Sequence, residues 1–225
     1  MDILSLKVCS WNANGIRGKL HEVKNFIAVN KIHVLLVQES HLSGNQKATI
    51  PDMICHRSDR EDGYGGTAIY VKRTIQHHRL QLTATNGLEG TGVQVNTNRG
   101  PLNLYSLYIP PGRRISEQDL DAVFSHGSPT IAMGDLNAKS PSWNSTTRNH
   151  RGMVLERYFE RRSLVPLAPA SPTITYGNRR PPDWLDLAIL QNIRCHPRIF
   201  SIPELSSAQK RNNFPMDPCT LWHCR

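Results

Sequence analysis

No apolar run in this 225-residue chain approaches the roughly 20 residues that a membrane span needs. The opening, Met1-Asp2-Ile3-Leu4-Ser5-Leu6, has neither the basic start nor the apolar core of a secretory signal. No two cysteines have CxxC spacing, and the five present (Cys9, Cys55, Cys195, Cys219, Cys224) are an odd number, which fits a reduced, intracellular protein. Cys219, His223 and Cys224 lack a second ligand pair at zinc spacing. The glycine cluster Gly63-Tyr64-Gly65-Gly66 is too irregular for a nucleotide loop, and no helix follows it. Neither a Ser-His-Asp elbow nor a cysteine nucleophile can be read, and no repeat or low-complexity segment interrupts the chain.

Acidic residues are also in deficit: 27 Lys and Arg against 18 Asp and Glu give a net charge of +9. That balance points to a polyanionic partner, most simply nucleic acid, although an ordinary basic protein has it too. Hydrophobic residues make up 38% of the chain, and the mean hydropathy is −0.45. The length suits one large α/β domain with a real core.

The informative pattern is what stands at the ends of apolar runs. Thr130-Ile131-Ala132-Met133-Gly134-Asp135-Leu136-Asn137 is a buried strand that ends in an acid and an amide two positions apart, so both face the same way. A turn would use the same two residue types. Leu4 to Trp11 reads as the first strand and runs into Asn12 and Asn14, again at i and i+2. Val34 to Val37 reads as a strand buried on both faces, ending in Gln38-Glu39-Ser40-His41. Leu88 to Val95 and Leu102 to Ile109 read as paired strands, the second leaving Tyr108 near its tip. Asp186 is a carboxylate inside the apolar run Asp183 to Leu190, a costly place unless it is paired or used. Helices are expected at His21 to Asn30, from Ser116, and at Gly152 to Ser163; Pro172 to Tyr176 is expected as a short strand.

A few hard oxygen ligands are what Mg2+ uses, because it keeps waters and binds through one or two carboxylates plus substrate phosphate. In a basic protein such a site suggests phosphodiester hydrolysis, with the metal neutralising phosphate charge and a carboxylate or histidine preparing the water.

Six short motifs then fall in a telling order. They are Ser10-Trp11-Asn12-Ala13-Asn14-Gly15, Val37-Gln38-Glu39, Tyr64-Gly65-Gly66-Thr67-Ala68, Tyr108-Ile109-Pro110-Pro111-Gly112, Gly134-Asp135-Leu136-Asn137-Ala138 and Asp183-Trp184-Leu185-Asp186. In this order they resemble the endonuclease/exonuclease/phosphatase superfamily, and within it the apurinic-type endonuclease domain of non-LTR (LINE-like, jockey-like) retrotransposons. The resemblance covers roughly residues 4 to 207. It implies a DNase I-like four-layer α/β sandwich, two mixed β-sheets flanked by helices with the active site at one end. It implies Mg2+, with Mn2+ as the alternative ion, held by Glu39 with help from Asn14. Asn12 and Asp135 would lie together and Asp135 would orient the attacking water, while Tyr108 and Asn137 would contact the scissile phosphate. Asp186 would orient a catalytic histidine. Arg17, Arg179 and Arg180 are the candidate DNA contacts. The reaction would nick target DNA and leave a 3′ hydroxyl for a reverse transcriptase, which is expected in the family but absent from this chain; by resemblance the site of action is the nucleus.

The departure from the family pattern lies at the end. Glu204-Leu205-Ser206-Ser207 arrives as the pattern requires, but Ala208-Gln209 stands where the family has Asp-His. Phe214 to Arg225 contains Pro215 and Pro218 and shows no strand pattern. The expectation is therefore a domain over residues 1–207, an atypical disordered tail over 208–225, a missing last strand and impaired activity. A non-catalytic nucleic-acid-binding remnant and a phosphodiesterase or phosphatase of the same fold are the alternatives.

Overall fold

A computed structural model of the chain describes residues 2–3, 6–83, 85–174, 182–194, 197–202 and 219–224. Two sheets form a sandwich. The first is built from β1 (Lys7–Asn12), β2 (Val34–Gln38), β3 (Met53–Ser58), β4 (Thr67–Lys72), β11 (Pro197–Ile202) and β12 (Cys219–Cys224), in the order β11-β12-β1-β2-β4-β3. The second holds β5 (His77–Leu80), β6 (Glu89–Thr97), β7 (Gly100–Tyr108), β8 (Thr130–Asp135), β9 (Val165–Leu167) and β10 (Asp186–Gln191), in the order β5-β6-β7-β8-β10-β9. Both are mixed: β1 runs parallel to β2 and β7 parallel to β8, and the other pairings are antiparallel.

The layers follow from side-chain alternation along the strands. Val8, Leu36, Ile69 and Val71 of the first sheet meet Val93, Leu104, Ile131, Met133 and Ala188 of the second and make the central core. The alternate residues Cys9, Trp11, Leu35, Val37 and Tyr70 pack under α1 (Leu20–Asn30) through Val23 and Phe26. On the far side, Tyr105, Leu107, Ala132, Leu187 and Ile189 pack under α2 (Glu117–Phe124) and α3 (His150–Arg162). β1, β2, β7 and β8 are each largely buried on both faces, and Val34 to Val37 of β2 accordingly reads as a continuous apolar run.

Helix starts are well marked. Ser116 caps α2 in a reciprocal box with Asp119, and the Asn149 carboxamide accepts the Gly152 N–H at 2.8 Å to cap α3. α3 thus begins two residues earlier than its apolar pattern suggests. Of the expected strand Pro172 to Tyr176, only a bridge from Ile174 to Asp183 appears; Thr175 and Tyr176 lie outside the described residues.

The expectation of a missing last strand is corrected. Cys219–Cys224 forms β12, which lies antiparallel to both β1 and β11 and fills the place between them. The prolines misled the sequence reading. Pro218 stands immediately before the strand, where a residue without an N–H disturbs no ladder bond. Residues 203–218, including Ala208 and Gln209, lie outside the described residues. Cys9 is disulfide-bonded, which differs from the reduced state expected from the odd cysteine count, while Cys55 is free. No helix among the described residues is long and apolar enough to cross a membrane.

Candidate active site

β1, β2, β7 and β8 all finish at the same end of the sandwich, and their last residues supply the polar cluster. Register sets the layout: Asn12 lies beside Gln38 in the first sheet and Tyr108 beside Asp135 in the second. On the next strand, antiparallel pairing sets Asp186 directly opposite Asp135.

One amide joins the two sheets. The Asn12 Nδ2 donates to Glu39 Oε1 at 2.8 Å and to Asp135 Oδ2 at 3.0 Å. The Asn12 carbonyl oxygen accepts the backbone N–H of Asn14 at 3.1 Å, which fixes the direction of the amide. Asp135 is held at its other oxygen by the backbone N–H of Asn137 at 2.9 Å. The Asn137 amide in turn donates to the carbonyl of Ile109 at 3.1 Å, tying β7 to the loop after β8. Beneath this layer a buried chain runs from the Ser10 hydroxyl to Gln38 Oε1, from Gln38 Nε2 to Ser106 Oγ, and from that hydroxyl to the Val37 carbonyl. It joins the sheets again and leaves the Gln38 and Ser106 side chains paired.

The backbone at this end is unusual. Asn14, Glu39, His41 and Asn137 have φ of 39°, 47°, 50° and 46°, in the left-handed region. Asparagine adopts it readily; for Glu39 and His41 it costs energy that the surrounding contacts must offset. Gly65 and Gly66 accept the same sign of φ, at 68° and 75°, and their carbonyls receive the His41 and Ser40 N–H groups.

Electrostatics follow from burial. Loss of water around Asp135 pushes its carboxyl up to about 6, and Glu39 adds to the rise, against the Asn137 N–H, the Asn12 amide and the charge of Arg151. Burial raises the Tyr108 phenol, and the facing Glu39 carboxylate raises it further, so it stays a neutral donor. Asp186 is buried, and its backbone N–H donates to the buried Thr173 hydroxyl at 3.2 Å.

Arg17 is exposed on the 3-10 turn just after Asn14. Arg179 and Arg180 lie outside the described residues. The register rules on His223 as well: in β12 it lies opposite Lys7, not Asn12, so roughly 16 Å of strand separates it from the polar end.

Several residues in and around the cluster were not singled out from the sequence. His41 Nε2 is 3.5 Å from Glu39 Oε2, and its ring meets the exposed Tyr64 ring edge to face at 5.8 Å. Arg151 donates to the carbonyls of Arg113, Asn137 and Pro110, so a cation is anchored beside the loop that carries Asn137. Arg113, Arg114 and Arg151 have no ion-pair partner among the described residues. Glu39-Ser40-His41 signalled the first of these; nothing in the sequence ties Arg151 to Pro110.

A divalent cation suits this donor set. Two carboxylates converge on one amide, and Asp135 has no lysine or arginine partner within ion-pair distance among the described residues. No group of three or more His, Cys, Asp or Glu side chains able to hold a metal is found among the described residues. A divalent ion here would take one or two carboxylates and complete its shell with water and phosphate.

Residues 102–207 match the family described as Endonuclease-reverse transcriptase. The chain is 28% identical, over 91% of its length, to the probable RNA-directed DNA polymerase from transposon X-element of Drosophila melanogaster, and spans 23% of that relative. It is 29% identical over 82% of its length to the RNA-directed DNA polymerase from mobile element jockey of the same species, and spans 21% of it. Among solved structures, the endonuclease domain of TRAS1, a telomere-specific non-LTR retrotransposon, superposes with a TM-score of 0.78 at 21% identity, covering 98% of each chain. The paired sheets with a polar cluster at their shared end are thus the fold of the TRAS1 endonuclease domain, residues 102–207 match the Endonuclease-reverse transcriptase family, and the chain is similar in sequence to retrotransposon proteins, jockey and the X-element among them.

Proposed function

We propose that this domain is a Mg2+-dependent phosphodiester hydrolase that nicks DNA, slowed in this chain by the absence of the Asp-His pair after Ser207. The observation that carries the proposal is the single Asn12 amide shared at 2.8 and 3.0 Å between Glu39 of one sheet and Asp135 of the other. It fixes a metal-binding carboxylate and a proton-accepting carboxylate relative to each other before substrate arrives, and such preorganisation is a large part of enzymatic rate enhancement.

Glu39, with Asn14 beside it, would hold the metal; a bound Mg2+ neutralises phosphate charge and favours departure of the leaving oxygen. Asp135 orients a water and takes its proton as the water oxygen bonds to phosphorus. The P–O3′ bond breaks, and the leaving oxygen gains a proton from solvent. The neutral Tyr108 phenol and the Asn137 amide donate to the non-bridging phosphate oxygens. Asp186 has no histidine to orient at positions 208–209, where the sequence reads Ala-Gln. His41 is the imidazole beside Glu39. Arg113, Arg114 and Arg151 suit the flanking phosphates, and the exposed Tyr64 ring, 70% accessible, suits stacking on a base. The reverse transcriptase activity named in the relatives would then use the 3′ end so made.

The test is nicking of supercoiled plasmid with Mg2+ by the unaltered chain, by Ala208→Asp with Gln209→His, and by Asp135→Ala. A slow unaltered chain, a repaired double variant at least tenfold faster and an inactive Asp135→Ala are expected. Equal rates for the first two would overturn the proposed impairment. Salt-sensitive DNA binding without nicking by any variant would instead identify a non-catalytic binder.

A further inference from the structure

Two imidazoles meet along one long edge of the sandwich, apart from the oxygen cluster. His56 belongs to β3, the edge strand of the first sheet, and His77 to β5, the edge strand of the second. Their Nε2 atoms are 3.0 Å apart and the rings stand edge to face, centroids 5.1 Å apart. The other nitrogen of His77, Nδ1, lies 2.7 Å from the carbonyl oxygen of Ile75. A carbonyl only accepts, so Nδ1 carries the proton of the neutral ring and Nε2 presents a bare lone pair toward His56. A backbone carbonyl behind one nitrogen and a free lone pair on the other is how metal-ligating histidines are held. Both rings are half-buried, so ions can reach them.

We propose that His56 and His77 form a binding site for a first-row transition ion of the Zn2+, Ni2+ or Cu2+ class, which clasps the edges of the two sheets. Without metal, the His56 Nε2–H donates to the His77 lone pair. On binding, that proton moves to His56 Nδ1 and both Nε2 lone pairs coordinate the ion; no proton is released and no electron is transferred. Tetrahedral coordination at the usual Zn–N length needs the nitrogens about 3.3 Å apart, so the rings separate by only a few tenths of an ångström. Among the described residues no third His, Cys, Asp or Glu completes the shell, and water fills it. Arg79 is the neighbouring charge that opposes the ion; it acts on His56 while its guanidinium donates to Ser58 Oγ at 3.2 Å. Mg2+ prefers oxygen and would pass this site by, so the two sites sort ions by ligand chemistry.

The experiment titrates Zn2+ and Mg2+ into the full chain and follows heat of binding and melting temperature, with His56→Gln, His77→Gln and Glu39→Gln as variants. We expect saturable Zn2+ binding, with melting raised by about 3 °C or more at a tenfold excess over Kd. Affinity should fall at least tenfold in either histidine variant and hold in Glu39→Gln. Zn2+ binding that is absent, unchanged in both histidine variants, or lost only with Glu39 would overturn the proposal. Should a histidine variant fail to fold by circular dichroism, Cu2+ paramagnetic resonance on the unaltered chain decides: two imidazole nitrogens on the ion support the site, and one or none rejects it. DNA nicking plays no part in these readouts, so this site and the nuclease assignment can fail separately.

Discussion

Asn12 is the residue on which the proposed chemistry is most exposed to test, because its one amide touches both carboxylates. Asn12→Ala should keep the fold and lower the nicking rate by about 10²–10³, the typical loss when one preorganised donor is removed. Single-turnover nicking at saturating DNA measures it; a change confined to DNA affinity would count against this role. Asp135 gives a second test, in stability. Its folded pKa is raised from 3.8 to about 6, so between these values the folded protein holds a proton that the unfolded chain has lost. The contribution of Asp135 to the stability of the metal-free domain is therefore greatest below pH 4 and falls as pH rises through about 6, opposite in sense to that of Asp119 and Glu156, whose hydrogen bonds hold their carboxyls below the usual range. Asp135→Asn should remove that fall and be the more stable protein at pH 7.5 while lacking activity. Urea denaturation across pH would show it, and parallel curves for the two proteins would refute the assignment.

At the scale of elements, close packing between strands places the groups. A Cβ on Gly134 would stand 1.8 Å from the Leu107 carbonyl oxygen, so Gly134→Ala must push β8 away from β7. We expect a loss of about 3 kcal/mol or more, with Tyr108 and Asp135 no longer aligned; thermal melting checks the first part and residual nicking the second. Asn149 is both the cap of α3 and a donor to the Asn137 carbonyl at 2.9 Å. Asn149→Ala should cost about 1 kcal/mol in stability and more than that in activity. The elements that could be read in sequence are those buried on two faces or capped in a recognised way: β2 from Val34 to Val37, β8 up to Asp135, and α2 from Ser116. β3 and β5 could not, because Cys55-His56-Arg57 and His77-His78-Arg79 belong to edge strands with one side toward water, where no apolar alternation is required. The strand-end motifs made Asn12, Glu39 and Asp135 visible as candidates, but not that one amide would join them; a hydrogen bond across two sheets has no local signature. Arg151 was hidden for the same reason, its partners Pro110 and Arg113 being distant in sequence.

For the molecule as a whole, the position of β12 matters most. It lies between β11 and β1, so ending the chain after Ile202 would strip both strands of their ladder partner. Such a truncation should lose cooperative unfolding and aggregate, through the open edge it leaves on β1; size-exclusion chromatography and circular dichroism would register both effects. A soluble, native-like truncated protein would show the strand to be dispensable. The +9 charge predicts that DNA affinity falls steeply with salt, and Arg113→Ala with Arg114→Ala should lessen the slope by about 2. Filter binding from 50 to 200 mM salt gives that slope.

The left-handed backbone at Glu39 and His41 has a consequence for descent. Glycine at either position would relieve the strain, so folding alone favours losing these side chains. The proposed metal-holding role favours keeping Glu39. Relatives of this sequence that have lost the proposed role should therefore carry glycine or asparagine at position 39 more readily than at the buried strand residues around it.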